Sequence, residues 1–199
     1  GMVTELFGEP STGKSLLLAK AVAEAQKKGM IAIVADAENR WDDDFAAKQG
    51  VREEQRFLFQ PDTVEEFAVE SHKVLEDAIS NNRRVLFVLD SLAILSTLKE
   101  LEDITDGDLK ADQGRKAQRI HQTMRILKGD IRKTGSIFLI ANHVIANPGS
   151  LFPIKTTPGG GGIPFQSSVR IKLSTSTKIE LQNRERPIGV ELHAEITKN

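Results

Sequence analysis

The stretch GEPSTGKS, Gly8 to Ser15, stands between a short apolar run, VTELFG, and the helix-forming segment KSLLLAKAVAEAQKKG. Gly8, Gly13, Lys14 and Ser15 satisfy G-x-x-x-x-G-K-[ST], and the context that this motif needs, a strand before and a helix after, is present. A loop of this kind belongs where a buried strand runs into a helix N-terminus, because backbone N–H groups and the helix dipole there suit a phosphate. In that geometry Gly8, Glu9, Pro10, Ser11, Thr12 and Gly13 curl around a β-phosphate, Lys14 reaches the β- and γ-oxygens, and the Ser15 hydroxyl ligates Mg²⁺. A glycine turn capping an ordinary helix is the plain alternative.

The rest of the chain repeats the same unit. MIAIVADAE (30–38) is a nearly continuous apolar run of strand length, the pattern of a strand covered on both faces. Helices are expected near 42–49, over 64–80 and from about 112 to 134, with strands at 56–60, 84–90 and 136–143. After Ile163 come short alternating runs, SVRIKLS, TKIELQN and GVELHAEITKN, with STS and NRERPIG between them as turns, which reads as an antiparallel meander. The expected fold class is α/β, a mostly parallel central sheet flanked by helices with a C-terminal antiparallel extension. Two segments fit no element: the acidic stretch 98–112 and the run 145–162, and loops of that length inside a domain are functional or mobile.

With 199 residues, 39% of them hydrophobic, the chain builds one core, and residues 2–199 are read as a single domain. Gly1 ahead of Met2 reads as the remnant of a removed tag. The formal net charge of −1 advertises no global attraction to nucleic acid, so any such binding comes from a local patch. No cysteine is present, which excludes disulfides and thiolate metal sites and fits a reducing compartment. No apolar run reaches the roughly 18 residues of a spanning helix, so no membrane partner is expected and the cytoplasm is the default location.

In VLFVLDS, an unbroken apolar run precedes Asp90, whose carboxylate therefore emerges at the carboxyl end of a buried strand, where α/β sheets bind ligands and where Mg²⁺ needs an acidic residue. A helix cap is the alternative role. Past the second strand, Asp36 and Glu38 are the first carboxylates at the same sheet edge, and Glu38 is the candidate for orienting the attacking water. A solvated loop carboxylate is the competing reading.

ELFGEPSTGKS, VADAENRWD, FQPDTVEE, VLFVLDSLAIL, FLIANH and GGGGIPFQSSVRIKL occur in the order and spacing of one family: the chain resembles the RecA family of homologous-recombination ATPases from Val3 to Asn199. QPDT (60–63) and SSVRIKL distinguish this family from P-loop ATPases at large. The resemblance implies a RecA-like P-loop NTPase core that binds ATP with Mg²⁺. Glu38 falls on the catalytic glutamate, and Asp42 and Phe45 fall on the contacts to the adenine edge and face. For Phe45, stacking makes physical sense and core packing is the bland alternative. His143 stands where bacterial members carry glutamine and is placed to sense the γ-phosphate; histidine there is tolerated in UvsX-like phage recombinases, which points to a phage or prophage origin. His72, His121 and His193 are read as satisfied core histidines.

Segments 98–112 and 145–162 match the family's two DNA-binding loops, which implies single-stranded DNA as partner. Lys155 and Gly159, Gly160, Gly161 and Gly162 suit a phosphodiester backbone; a plain linker is the alternative. The first segment is acidic, with Glu100, Glu102, Asp103, Asp106, Asp108 and Asp112 against Lys99 and Lys110, and repels a polyanion. Arg115, Lys116, Arg119 and Arg125 on the following helix relieve this, unless they are a solvated face. Phe165 falls on a subunit-interface position, and Lys198 matches a lysine that reaches the neighbour's nucleotide, both of which require a homo-oligomeric filament. The family's amino-terminal arm and carboxyl-terminal domain are missing, so the chain reads as an excised core or a minimal relative, a monomer on its own. The expected activity is DNA-dependent ATP hydrolysis in homologous pairing and strand exchange. A nucleotide-binding regulatory module with little turnover, and a ring ATPase of the helicase type, are the competing functions.

Overall fold

The computed structural model describes residues 1–107, 113–146, 155–158, 160–180 and 187–199. Strand β1 (Met2–Gly8) runs through the glycine loop into helix α1 (Lys14–Lys27). Then come β2 (Ile31–Asp36), α2 (Asp43–Lys48), β3 (Arg56–Phe59), α3 (Val64–Ser80) and β4 (Val85–Asp90). They are followed by α4 (Leu98–Thr105), α5 (Gln113–Thr134), β5 (Ile137–His143), β6 (Ile145–Ala146), β7 (Lys155–Thr156), α6 (Gly162–Gln166), β8 (Val169–Ile179) and β9 (Gly189–Lys198).

Seven strands make one sheet in the order β3-β2-β4-β5-β1-β8-β9, and β6 and β7 form a separate antiparallel pair. Every neighbouring pair of the large sheet is parallel except β8–β9. The sheet is covered on both faces, which explains the unbroken apolar runs of its central strands. Along β2, Ile33 and Ala35 join the cluster that contains Phe67 of α3 and Leu127 and Ile131 of α5. Ala32 and Val34 join the opposite cluster with Leu18 and Val22 of α1. Phe67, Phe87 and Phe138 anchor the first cluster, with ring centroids 5.8–6.3 Å apart in stacked and edge-on pairs.

This alternation delivers the chemistry to one edge. In register, Gly8 stands beside His143 and Asp36 beside Asp90, so the carboxyl ends of β1, β2, β4 and β5 are level. No helix among the described residues is long and apolar enough to cross a membrane.

Three expectations are corrected. Residues 98–105 of the first unassigned segment form α4, because Thr97 and Glu100 make a reciprocal capping box, Thr97 accepting from Glu100 N at 3.1 Å and Glu100 from Thr97 N at 2.7 Å. Lys99 then bridges one turn to Asp103 at 2.8 Å, which offsets part of the acidic repulsion. Asp108, Lys110 and Asp112 lie outside the described residues. The second unassigned segment contributes β6, β7 and α6, with Gly159 outside the described residues and nothing described of the Lys155 side chain.

STS is not a turn. Strand β8 runs straight through it to Ile179, and the register against β9 shifts between Thr175 and Lys178, a bulge that absorbs the polar residues without reversing the chain. The three-run meander is therefore a two-stranded hairpin joined in parallel to β1.

Candidate nucleotide site

The loop between β1 and α1 is tightly wound. Ser11 and Gly13 take positive φ, 61° and 80°, a region that glycine enters without penalty and serine seldom does. A Cβ on Gly8 would lie 2.4 Å from Leu173 O of β8, and one on Gly13 would lie 2.4 Å from Leu192 Cδ1 of β9. Gly8 is thus demanded by the close approach of the β8 backbone and Gly13 by its positive φ, and Leu192 roofs the loop. Thr12 Oγ1 donates to Glu9 O at 2.7 Å, holding the curl.

Lys14 is buried, and its ammonium donates to Gly8 O at 3.0 Å and to Glu9 O at 2.8 Å. Burial pulls its pKa below the usual lysine value, and Asp90, Glu38 and Glu9 work against that fall. The next residue, Ser15, opens α1 with its side chain exposed. The ring of backbone N–H groups, one ammonium and one hydroxyl is a donor set for a polyphosphate.

Facing it is a carboxylate group of unequal members. Asp90 ends β4, and its carboxyl is raised to about 6, first by burial and then by the negative charges of Glu38 and Asp36, with His143 and Lys14 partly opposing. An acid held so unfavourably is stabilised by any cation placed against it. Asp36 is buried and accepts Trp41 N at 2.8 Å, which shapes the β2–α2 loop.

Glu38 is the most fully partnered of the three. Its Oε1 accepts from Ser91 Oγ at 2.6 Å and from His143 Nε2 at 2.7 Å, while Arg40 stands 3.4 Å from Oε2. Burial raises its pKa, but the bonds from Ser91 and His143 and the charges of His143 and Arg40 outweigh it and hold the carboxyl below the ordinary range. It remains ionised and acceptor-only at neutral pH, the state that a water-orienting group needs. Among the described residues no group of three or more His, Cys, Asp or Glu side chains is placed to hold a metal ion by itself.

The structure brings Gly8–Ser15, Glu38, Asp90 and His143 together. Asp42 caps α2, accepting Phe45 N at 2.8 Å, and Phe45, in the first turn of α2, is 37% exposed rather than sunk in the core. The basic residues of α5 fare differently. Lys116 donates to Ala93 O at 3.0 Å, and burial lowers its pKa. Arg119 pairs with Glu65 at 3.2 Å, whereas Arg125 is exposed beside a cavity of about 360 Å³ that Gly161, Gly162 and His121 also line. Lys198 Nζ donates to Pro164 O at 2.9 Å and to Phe165 O at 3.1 Å within the chain, and Phe165 itself is 77% exposed.

The three remaining histidines are not core residues. His121 and His193 are exposed. The His72 side chain is 44% exposed and joins α3 to α5 through Asp130, 3.1 Å away. Each falls on the solvent side of its element's period, which isolated histidines do not signal. Ser91 and Arg40 were not anticipated as partners of Glu38; their adjacency to Asp90 and Glu38 in sequence was the available hint. A cavity of about 640 Å³ lies at the opposite, amino end of β2 and β3 and is lined by none of the site residues above.

The family model for the RecA N-terminal domain matches residues 1–199. Protein RecA of Leptospira meyeri is 34% identical over 202 residues, covering 100% of this chain and 49% of that protein, and Protein RecA of Leptospira biflexa serovar Patoc gives the same identity and coverage. The chain spans about half the length of these curated relatives. It belongs to the RecA family, as a match to that family's N-terminal domain.

Proposed function

We propose that this chain is the ATP-binding and ATP-hydrolysing core of a RecA-type recombinase acting on single-stranded DNA. The observation that carries the reading is the Glu38 carboxylate, ionised and oriented by Ser91 and His143 across from the Lys14 loop. Gly8–Ser15 hold the phosphates of ATP, and Asp42 and Phe45 take the base. Ser15 and Asp90 offer hard oxygen donors to Mg²⁺, which when bound supplies charge neutralisation at the β- and γ-oxygens. Lys14 neutralises charge on the transferred phosphoryl, and Glu38 fixes the water in line with it. Catalysis on this reading is positioning and electrostatics in a site already built. His143 bonds Glu38 from the end of β5, directly ahead of segment 145–162, and thereby connects the γ-phosphate position to the DNA-binding side.

The polynucleotide surface on this reading comprises Arg115, Lys116, Arg119 and Arg125 of α5 with Lys155 and Gly159–Gly162. Phe165 and Lys198 serve a homo-oligomeric filament, with Lys198 leaving the α6 carbonyls to reach a neighbouring nucleotide. Steady-state ATP hydrolysis, measured with and without long single-stranded DNA at low and moderate salt, tests the reading. Stimulation that fades with salt is expected, because phosphate contacts release counterions. Nucleotide binding with no stimulation favours the second reading, a regulatory module with little turnover. The internal commitments of Lys116 and Arg119 are the observation in its favour.

A further inference from the structure

Glu5 lies in the middle of β1 with 0% exposure, and it has no part in the chemistry above. Its Oε2 accepts from Arg170 Nε at 2.6 Å, and its Oε1 accepts from Asn142 Nδ2 at 3.0 Å. Arg170 is its register neighbour on β8, and its guanidinium lies over the ring of Phe7, 4.6 Å away, next to Gly8. Asn142 is fully buried on β5, one residue before His143.

The Asn142 amide has no spare hydrogen. Its Nδ2 also donates to Pro158 O at 3.1 Å, just ahead of the glycine run, and its Oδ1 accepts His143 N at 3.1 Å. One amide thus links a carboxylate fixed in the sheet, the backbone of the residue that bonds Glu38, and the backbone of the segment that leads into α6. A buried ion pair is an expensive way to fill a strand interior, since an apolar pair of similar volume holds a sheet at least as well. An apolar pair does not orient an amide.

We propose that Glu5 is a positioning residue: by orienting Asn142 it ties the His143 strand end to Pro158, so that the state of the nucleotide site reaches the backbone of residues 155–158. This rests on the nucleotide-binding reading above, and its test keeps the two apart. The variant is Glu5→Met with Arg170→Met, which removes the network and keeps the sheet filled; Glu5→Gln, nearly isosteric, carries the same test if the double variant lacks a cooperative urea transition. Binding of a non-hydrolysable ATP analogue with Mg²⁺ is followed by Trp41 fluorescence, and tryptic cleavage after Lys155 by fragment mass.

In the wild-type chain, saturating analogue is expected to change the rate of cleavage at Lys155 by about fivefold or more, the scale of an ordinary coupling between sites. In the variant the analogue binds within about twofold of wild type, while the change at Lys155 falls to about 1.5-fold or less, as expected for lost coupling with intact binding. A full response in a folded variant overturns the proposal, as does a wild-type chain that binds analogue without any change at Lys155. Failure of the wild type to bind the analogue overturns the nucleotide reading and this inference with it.

Discussion

Asp90→Asn stabilises the nucleotide-free protein while removing its dependence on Mg²⁺. The folded-state pKa of Asp90 is raised from 3.8 to about 6 by burial and by Glu38 and Asp36. Folding therefore favours the protonated form, and the charged form at neutral pH works against the fold. At about 1.4 kcal/mol per unit, a rise of roughly two units sets a ceiling of about 3 kcal/mol. The sign is fixed by the direction of the rise: the stability associated with protonated Asp90 is complete below pH 4 and is lost as the pH climbs through 6. Asparagine carries no such loss, so the difference between variant and wild type is near zero at pH 4 and opens to about 1–3 kcal/mol by pH 7.5. Urea unfolding followed by Trp41 fluorescence across that range, without Mg²⁺, measures it. A variant less stable than wild type at pH 7.5, or a gap that does not change with pH, refutes the reasoning. With ATP and Mg²⁺ present the order reverses: wild type gains stability and turnover, and the variant gains neither.

Glu38→Gln, read by phosphate release, lowers turnover by about 100-fold or more with nucleotide affinity changed only a few-fold, because the amide keeps the contact to Ser91 and loses the charge that orients water. Thr97→Ala removes one half of the capping box of α4 and costs about 1 kcal/mol, seen as faster amide exchange over Leu98–Thr105 with β1 and β5 unaffected. Arg125→Ala reduces the slope of log affinity for single-stranded DNA against log salt by about 1. Lys116→Ala, whose ammonium is already held by Ala93 O, reduces that slope by less than Arg125→Ala does in the same titration.

The sequence was most legible where side-chain period and backbone demand coincide. The GEPSTGKS loop, the buried strands and α3 followed from glycine spacing and apolar runs, and the span expected for α3, 64–80, is the span observed. Asp90 was readable because the unbroken apolar run before it, Val85 to Leu89, forces it to a strand end. The α4 helix was missed because its acidic composition suggests a solvated loop, while the signal that makes it a helix is a single reciprocal cap at Thr97 and Glu100. The STS segment was misread because small hydroxyl-bearing residues suit both a turn and an edge of a long hairpin, and only pairing with β9 separates the two. The contacts of Glu5 with Asn142 and Arg170 join residues that no local pattern connects, so strand order had to be known before they could be seen.

Strand order also fixes when, during synthesis, this protein acquires its phosphate loop. Met2 pairs with Ile137 on one side and Glu5 with Arg170 on the other, so β1 is made well before either of the strands that flank it. Until then the emerging polypeptide carries an apolar strand with two unsatisfied edges, a state exposed to misassociation. Contacts so distant along the chain make for slow folding. On the proposed reading ATP therefore cannot assist the early steps: the loop that would grip it is made before β5 and β8 and is shaped only once they have paired with β1.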